Sequence, residues 1–375
     1  MTSTELNWNP GPFIRFQWSL IVLSLVLSAI GLGLIYSAVA PMGLVGKKLF
    51  YKQLAWCGIG LVFMAVFLLF DYHVLERWAL WLYVFIVVVL VVVWTMGNVT
   101  AGSKRWIDLG LMRFQPSEFA KLAVIIVLAK ILQSRFSSES SETMGLVRPV
   151  LLTLVPFVLV LIQPDLGTAG IIFLVAASMI LFTGVGKRAL ILAGGVLVVL
   201  IPLLLLIGDK LLMPYQKRRL MTFIDPGNDP LGAGYHILQS QIAIGSGGLL
   251  GKGFLEGTQN QLMFLPVKHT DFIFSILAEE WGFVGSVVLL GLFAGLFLSG
   301  LAVASKARDH FGMLVSFGCV AMLFWHVFIN VGMVMGLLPV VGVPLSFVSY
   351  GGSSMLASFL AVAIMLNVSM RRFSY

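Results

Sequence analysis

The chain has 375 residues, 59% of them hydrophobic and only 11% charged, with a formal net charge of +8 and a mean hydropathy of +1.02. That composition excludes an ordinary water-soluble enzyme and predicts a helical protein that crosses a membrane many times. The charge is too modest to argue for nucleic acid, and it fits attraction to anionic membrane lipids.

Apolar runs of about 20 residues, the length that crosses a bilayer, fall at 17–40, 50–70, 76–96, 116–134, 148–163, 166–184, 189–208, 271–304, 313–337 and 352–369. They predict an all-α integral membrane protein with ten transmembrane helices. The chain reads as one polytopic domain over 1–375, with a large, partly helical extracytoplasmic loop at 209–270 between the seventh and eighth helices. The first run is too long for a signal peptide and reads as a span. An even count puts both termini on one side, and the short loops with Lys187, Arg188, Lys306 and Arg308 favour the cytoplasm. This leaves an excess of positive charge outside. Cys57 and Cys319 sit in apolar runs and read as small hydrophobes, and the five His show no zinc spacing.

Several polar stretches interrupt the apolar runs. In RWIDLGLMRFQPSEFAK, Arg105 to Lys121, Pro116 suits the first turn of span four and Glu118 the positive end of that helix. Lys121, at i+3 from Glu118, either pairs with it or faces a cavity and binds an anion. Gln133 to Gly145 is rich in Ser and Glu and reads as a flexible cytoplasmic link. In QPDLGT, Asp165 either caps span six or holds a cation or basic side chain near the outer surface.

The basic cluster Lys217, Arg218 and Arg219 suits lipid headgroups or a phosphate or diphosphate. GYHILQSQIAIGSGG has the pattern of a helix in the membrane interface. GSGGLLGKG fails as a phosphate loop, with Ser246 at the first Gly position and Gly253 at the Ser/Thr position, so no nucleotide is expected. In FLPVKHTDFIFSILAEEWGF, Thr270 or Asp271 can cap span eight, and Asp271 can serve as a base if burial or an acidic neighbour offsets the helix end. Glu279 and Glu280 fall about 12–14 Å deeper along a continuous helix, where pairing with another helix, for example through Lys121, is expected. Lys268 is left between headgroup anchor and diphosphate ligand. Pro339, Pro344 and Gly351–Gly352 break the chain between the last two spans, and irregular backbone at that depth must line a cavity or be buried in protein.

The candidates gather on the outer side: Arg105, Asp108, Glu118, Lys121, Asp165, the basic cluster, Lys268 and Asp271, with Trp106 and His269 as supporting neighbours. Cations beside a base, above an apolar bundle, suit a lipid-linked anionic substrate.

The same motifs, with DPLGAGYHILQSQIAIGSGGLLGKG, GTQNQLMFLPVKHTDFIF and PVVGVPLSFVSYGG, closely resemble the SEDS family (shape, elongation, division and sporulation), nearest its RodA branch, over about residues 16 to 370. The resemblance implies a ten-span peptidoglycan glycosyltransferase that polymerises lipid II on the outer face of the bacterial inner membrane, with a class B penicillin-binding protein as transpeptidase partner. It implies that Asp271 is the residue required for polymerisation, and it maps the family's Glu, Lys and second Asp onto Glu118, Lys121 and Asp165. RodA-like chains often carry Glu where this one has Val267. The mechanism that fits has Asp271 as general base, with Arg105, Lys121, Arg218, Arg219 and Lys268 on the diphosphate. A divalent cation, Mg or Mn, held by Asp165 or Asp271 is a further expectation. A lipid-precursor flippase and a non-catalytic scaffold remain as alternatives.

Overall fold

The computed structural model describes residues 17–96, 98–100, 103–108, 113–136, 144–184, 219, 221–223, 232–262, 264 and 269–372, with backbone alone at 98–100, 103, 104, 108, 113, 144 and 233. Helices α1 (Trp18–Val39) and α2 (Gly43–Phe67) are joined by a tight turn at Ala40–Met42. Then come α3 (His73–Met96), α4 (Pro116–Leu132), α5 (Met144–Ile162) and α6 (Leu166–Phe182). After them, α7 (Ala233–Ser246) and the short α8 (Thr258–Gln261) precede α9 (Ile273–Ser305), α10 (His310–Val334) and α11 (Gly352–Arg371). The expected spans from 17–40 to 166–184, and the last three, each fall on one of these helices. The seventh, 189–208, lies outside the described residues, as does most of the 133–145 link.

Six helical stretches among the described residues are long and apolar enough to cross a membrane, the first of them, Trp18–Phe67, containing both α1 and α2. α4, α10 and α11 are buried along most of their length. α11 packs against α2, α4 and α10. Its many Ser and Ala residues let neighbours approach closely, as helices in lipid require. The Phe359 ring of α11 lies where a side chain at Gly60 of α2 would have to go. α2, α3 and α5 turn large Leu, Val, Phe and Trp side chains outward, the surface a helix presents to lipid.

Two features depart from the expected all-α chain with unbroken spans. Between α3 and α4, β1 (Asn98–Thr100), β2 (Ser103–Asp108) and β3 (Arg113–Phe114) form a small antiparallel ribbon in the order β1-β2-β3. Within α9, Gly282 has φ +66, a left-handed conformation that breaks the helix. Residues 273–280 thus form a separate segment, buried on every face, ahead of the long apolar run.

Candidate active site

At the end of the bundle where α4, α6 and α9 begin, a cavity of about 230 Å³ is lined by Arg105 and Trp106 of β2, Glu118, Arg219, Asp271 and the broken segment between α10 and α11. Asp271 lies in the turn before α9. The N-cap position of α9 is Phe272, with no side-chain cap, so the capping role open to Thr270 or Asp271 falls to neither. The Asp271 carboxylate instead accepts a hydrogen bond from Thr270. It stands beside Gly342, where a Cβ would lie 3.4 Å from Oδ2 and where φ is +74. Burial pushes the Asp271 carboxyl up to about 6, against the opposing pull of Arg105, Arg219 and the Thr270 bond, with Asp165 adding to the push.

The backbone of this turn is held from α10. Asn330 Nδ2 donates to the Asp271 carbonyl (2.9 Å) and to the Val343 carbonyl (2.7 Å). One amide therefore ties Asp271 to the broken segment. A second tie runs from Tyr350 N–H to the His269 carbonyl (2.9 Å), with the two rings edge to face.

Asp165 does both things its sequence allowed. It caps α6 through Thr168 N–H (3.3 Å) and also accepts from Thr168 Oγ1 (3.0 Å) and Gln115 Nε2 (2.9 Å). It pairs with Arg105 Nη1 at 3.4 Å, which fixes that guanidinium at the cavity wall. With its oxygens so engaged, Asp165 is a poor cation ligand. Among the described residues no group of three or more His, Cys, Asp or Glu is placed to hold a metal ion. Among the described residues, the site thus offers no donor set that fits Mg or Mn, and no step below is routed through one.

Lys121 does not line the cavity. Its ammonium is fully buried, 2.8 Å from Glu118 Oε1 and 2.6 Å from His326 Nε2. His326 Nδ1 lies 3.1 Å from the Pro344 carbonyl, so Nδ1 donates there and Nε2 presents its lone pair to Lys121. A buried ammonium needs such partners, and this corrects the expectation of Lys121 as a substrate ligand. Lys121 is therefore not the partner of Glu279 or Glu280, while the pairing expected with another helix is met at Glu280. Glu279 accepts from Lys252 Nζ (2.7 Å), Thr258 Oγ1 (3.0 Å) and Gln259 N–H (3.0 Å), and Glu280 accepts from Ser37 near the end of α1. Both carboxylates are buried, and they serve the connecting loop and the end of α1.

Arg218, Lys268 and Val267 lie outside the described residues, and of Asp108 only the backbone is described.

The family model for FtsW, RodA and SpoVE, described as cell cycle protein, matches residues 17–373. The chain belongs to the FtsW/RodA/SpoVE family. It is 42% identical over 341 residues to the peptidoglycan glycosyltransferase MrdB of Escherichia coli, covering 90% of this chain and 91% of that protein. It is 34% identical over 426 residues to the peptidoglycan glycosyltransferase RodA of Treponema pallidum, at 95% and 98% coverage. Among solved structures, a chain of a peptidoglycan synthase complex aligns with a TM-score of 0.81 and 31% identity, covering 96% of this chain and 99% of that one. The crystal structure of RodA from Thermus thermophilus aligns with a TM-score of 0.72 and 30% identity, at 98% and 100% coverage.

Within this FtsW/RodA/SpoVE chain the sequence reading overlooked Asn330 and His326. A signal was available: both are polar, four residues apart on one face of an otherwise apolar span, and polar groups at membrane depth are costly unless they have a task. The site can do three things chemically. Asp271 can take a proton near neutral pH, Arg105 and Arg219 can balance negative charge, and the broken segment shapes the wall between them.

Proposed function

We propose that this chain is a peptidoglycan glycosyltransferase that polymerises lipid II into β-1,4 glycan strands during cell-wall elongation. The observation that carries this reading is Asp271, raised towards neutrality in a cavity shared with two guanidinium groups, on a chain with long, specific similarity to proteins of that name. Asp271 accepts the proton of the acceptor's GlcNAc 4-hydroxyl as its oxygen attacks the donor's anomeric carbon. The bond to the diphosphate breaks and the undecaprenyl diphosphate departs with the electron pair. Direct attack inverts the anomeric centre and gives the β link. A diphosphate leaving group makes a second catalytic carboxylate unnecessary, unlike the pair used by glycosidases. Arg105 and Arg219 face the charge that grows on the leaving group, where fixed cations contribute most.

A lipid-linked substrate also needs an apolar track. A groove of about 520 Å³ beside α2, α3, α4 and α11 is walled by Ile107 and Phe119, the neighbours of Trp106 and Glu118 in the cavity. The reading places ten spans in the bacterial inner membrane, both termini in the cytoplasm and the cavity on the outer face. Its partner is a class B penicillin-binding protein, in keeping with the peptidoglycan synthase complex among the similar structures.

The broken segment between α10 and α11 also suits a flippase. Labelled lipid II with the protein in proteoliposomes decides between them. Glycan polymer supports the transferase, and movement between leaflets without polymer refutes it.

A further inference from the structure

The loop between α7 and α8 is spent on something the polymerisation chemistry does not use. It crosses the break in α9. Gly282 leaves the amides of the next turn without helical partners, and the loop supplies them: Phe283 N–H donates to the Gly248 carbonyl (2.9 Å) and Val284 N–H to the Leu249 carbonyl (3.1 Å). In return, Lys252 N–H donates to the Glu279 carbonyl and Gly253 N–H to the Glu280 carbonyl, each at 3.0 Å. Backbone lies against backbone. A Cβ at Gly247 would meet the Ala278 carbonyl at 1.9 Å, and one at Gly251 the Glu280 carbonyl at 2.1 Å. The buried Glu279 carboxylate holds Lys252 as well, so the cation of this stretch is occupied.

The side chains that this firmly docked loop turns outward are Leu249 and Leu250, 72% and 80% exposed, with Phe254 at 47%. Apolar side chains grouped in this way mark an interaction surface. Their height can be estimated. The run from 283 to 305 has roughly 23 residues, about 34 Å at 1.5 Å each, against a hydrocarbon core of about 30 Å. The first turn of that run therefore lies at the hydrocarbon boundary, and Leu249 is bonded directly to it. Phe283, Val284, Val287 and Val288 begin the exposed apolar face of the same run. The two leucines continue that face at the level of the lipid headgroups.

We propose that Leu249 and Leu250 form a membrane anchor that inserts into the leaflet on the active-site side. The anchor fixes the height of the buried segment 273–280, and with it Asp271, relative to the lipid headgroups. The ligand is the bilayer itself, at the boundary between acyl chains and headgroups, the depth at which apolar side chains of interfacial segments settle.

Nitroxide labels at Leu249→Cys and Leu250→Cys, in the full chain reconstituted alone in phosphatidylethanolamine/phosphatidylglycerol nanodiscs, test this. The native Cys57 and Cys319 are buried and stay unlabelled. Val288→Cys serves as the lipid reference and the exposed Glu256→Cys as the water reference. The measured quantity is collision with oxygen relative to collision with a nickel chelate. The anchor predicts ratios at 249 and 250 closer to that of Val288→Cys. Ratios closer to that of Glu256→Cys, or labels shielded from both reagents, overturn it.

Discussion

With its carboxyl pushed up to about 6 by burial, Asp271 as the proposed general base should make polymerisation depend on pH in a range where an ordinary aspartate would not respond. A general base works only when ionised. With a midpoint near 6, about 90% of the sites are ionised at pH 7 and about 10% at pH 5, so the rate at pH 5 falls roughly tenfold below the plateau. An aspartate at the usual value of about 3.9 would still be about 90% ionised at pH 5. The neighbours set the sign of further shifts. Arg105 pulls the Asp271 midpoint down, so Arg105→Gln moves it up and costs additional activity at neutral pH. Asp165 pushes it up and pairs with Arg105, so Asp165→Asn moves it down while an Asn can still cap α6. Initial rates of lipid II polymerisation by purified protein between pH 4.5 and 8.5 give all three midpoints. A flat profile from pH 5 to 8, or a downward move in Arg105→Gln, would refute the assignment.

Three other perturbations address the scaffold. Lys121→Met strands the buried Glu118 carboxylate and should cost about 3–5 kcal/mol, seen as a lower Tm in detergent. The double variant Glu118→Gln/Lys121→Met should recover much of that loss, and an unchanged Tm in the single variant would show that the pair is not needed. Asn330→Leu strips a hydrogen bond from two carbonyls, at about 1–3 kcal/mol for each acceptor left unpaired, and loosens the Asp271 turn. Its kcat should fall by about tenfold or more with KM little changed, since misplacement by about 1 Å can cost about 10²-fold; a wild-type kcat would contradict the clamp. Gly282→Ala forces a side chain into left-handed backbone 2.3 Å from the Gly251 nitrogen, so the loop must lift. Amide exchange at Lys252 and Gly253 should accelerate, and exchange at the wild-type rate would argue against docking.

Most of the helical framework was legible because lipid demands long apolar runs, and these are visible in one dimension. The ribbon at 98–114 was not, since its strands are too short to show an alternating pattern. Nor was the break in α9. Gly282 reads like any other glycine in an apolar run; its positive φ shows the break, and only the hydrogen bonds show that Glu279 and Glu280 hold a docked loop. In the candidate site, Asp165 was legible as a cap because its task is local to QPDLGT. The joining of Arg105 to Asp165, and of Lys121 to His326, was not, because these contacts cross about 60 and 205 positions of chain. The cavity itself is assembled from such long-range pairings, and residue types alone could nominate its members without arranging them.

The claim on which the rest depends is that Asp271 removes the proton from the attacking hydroxyl. Asp271→Asn keeps the size of the side chain and removes its basicity. Purified wild type and variant, matched in Tm and supplied with the same lipid II, should differ in polymerisation rate by about 10²–10⁴-fold, the usual contribution of a general base. A variant that polymerises within about twofold of wild type would show that the base lies elsewhere.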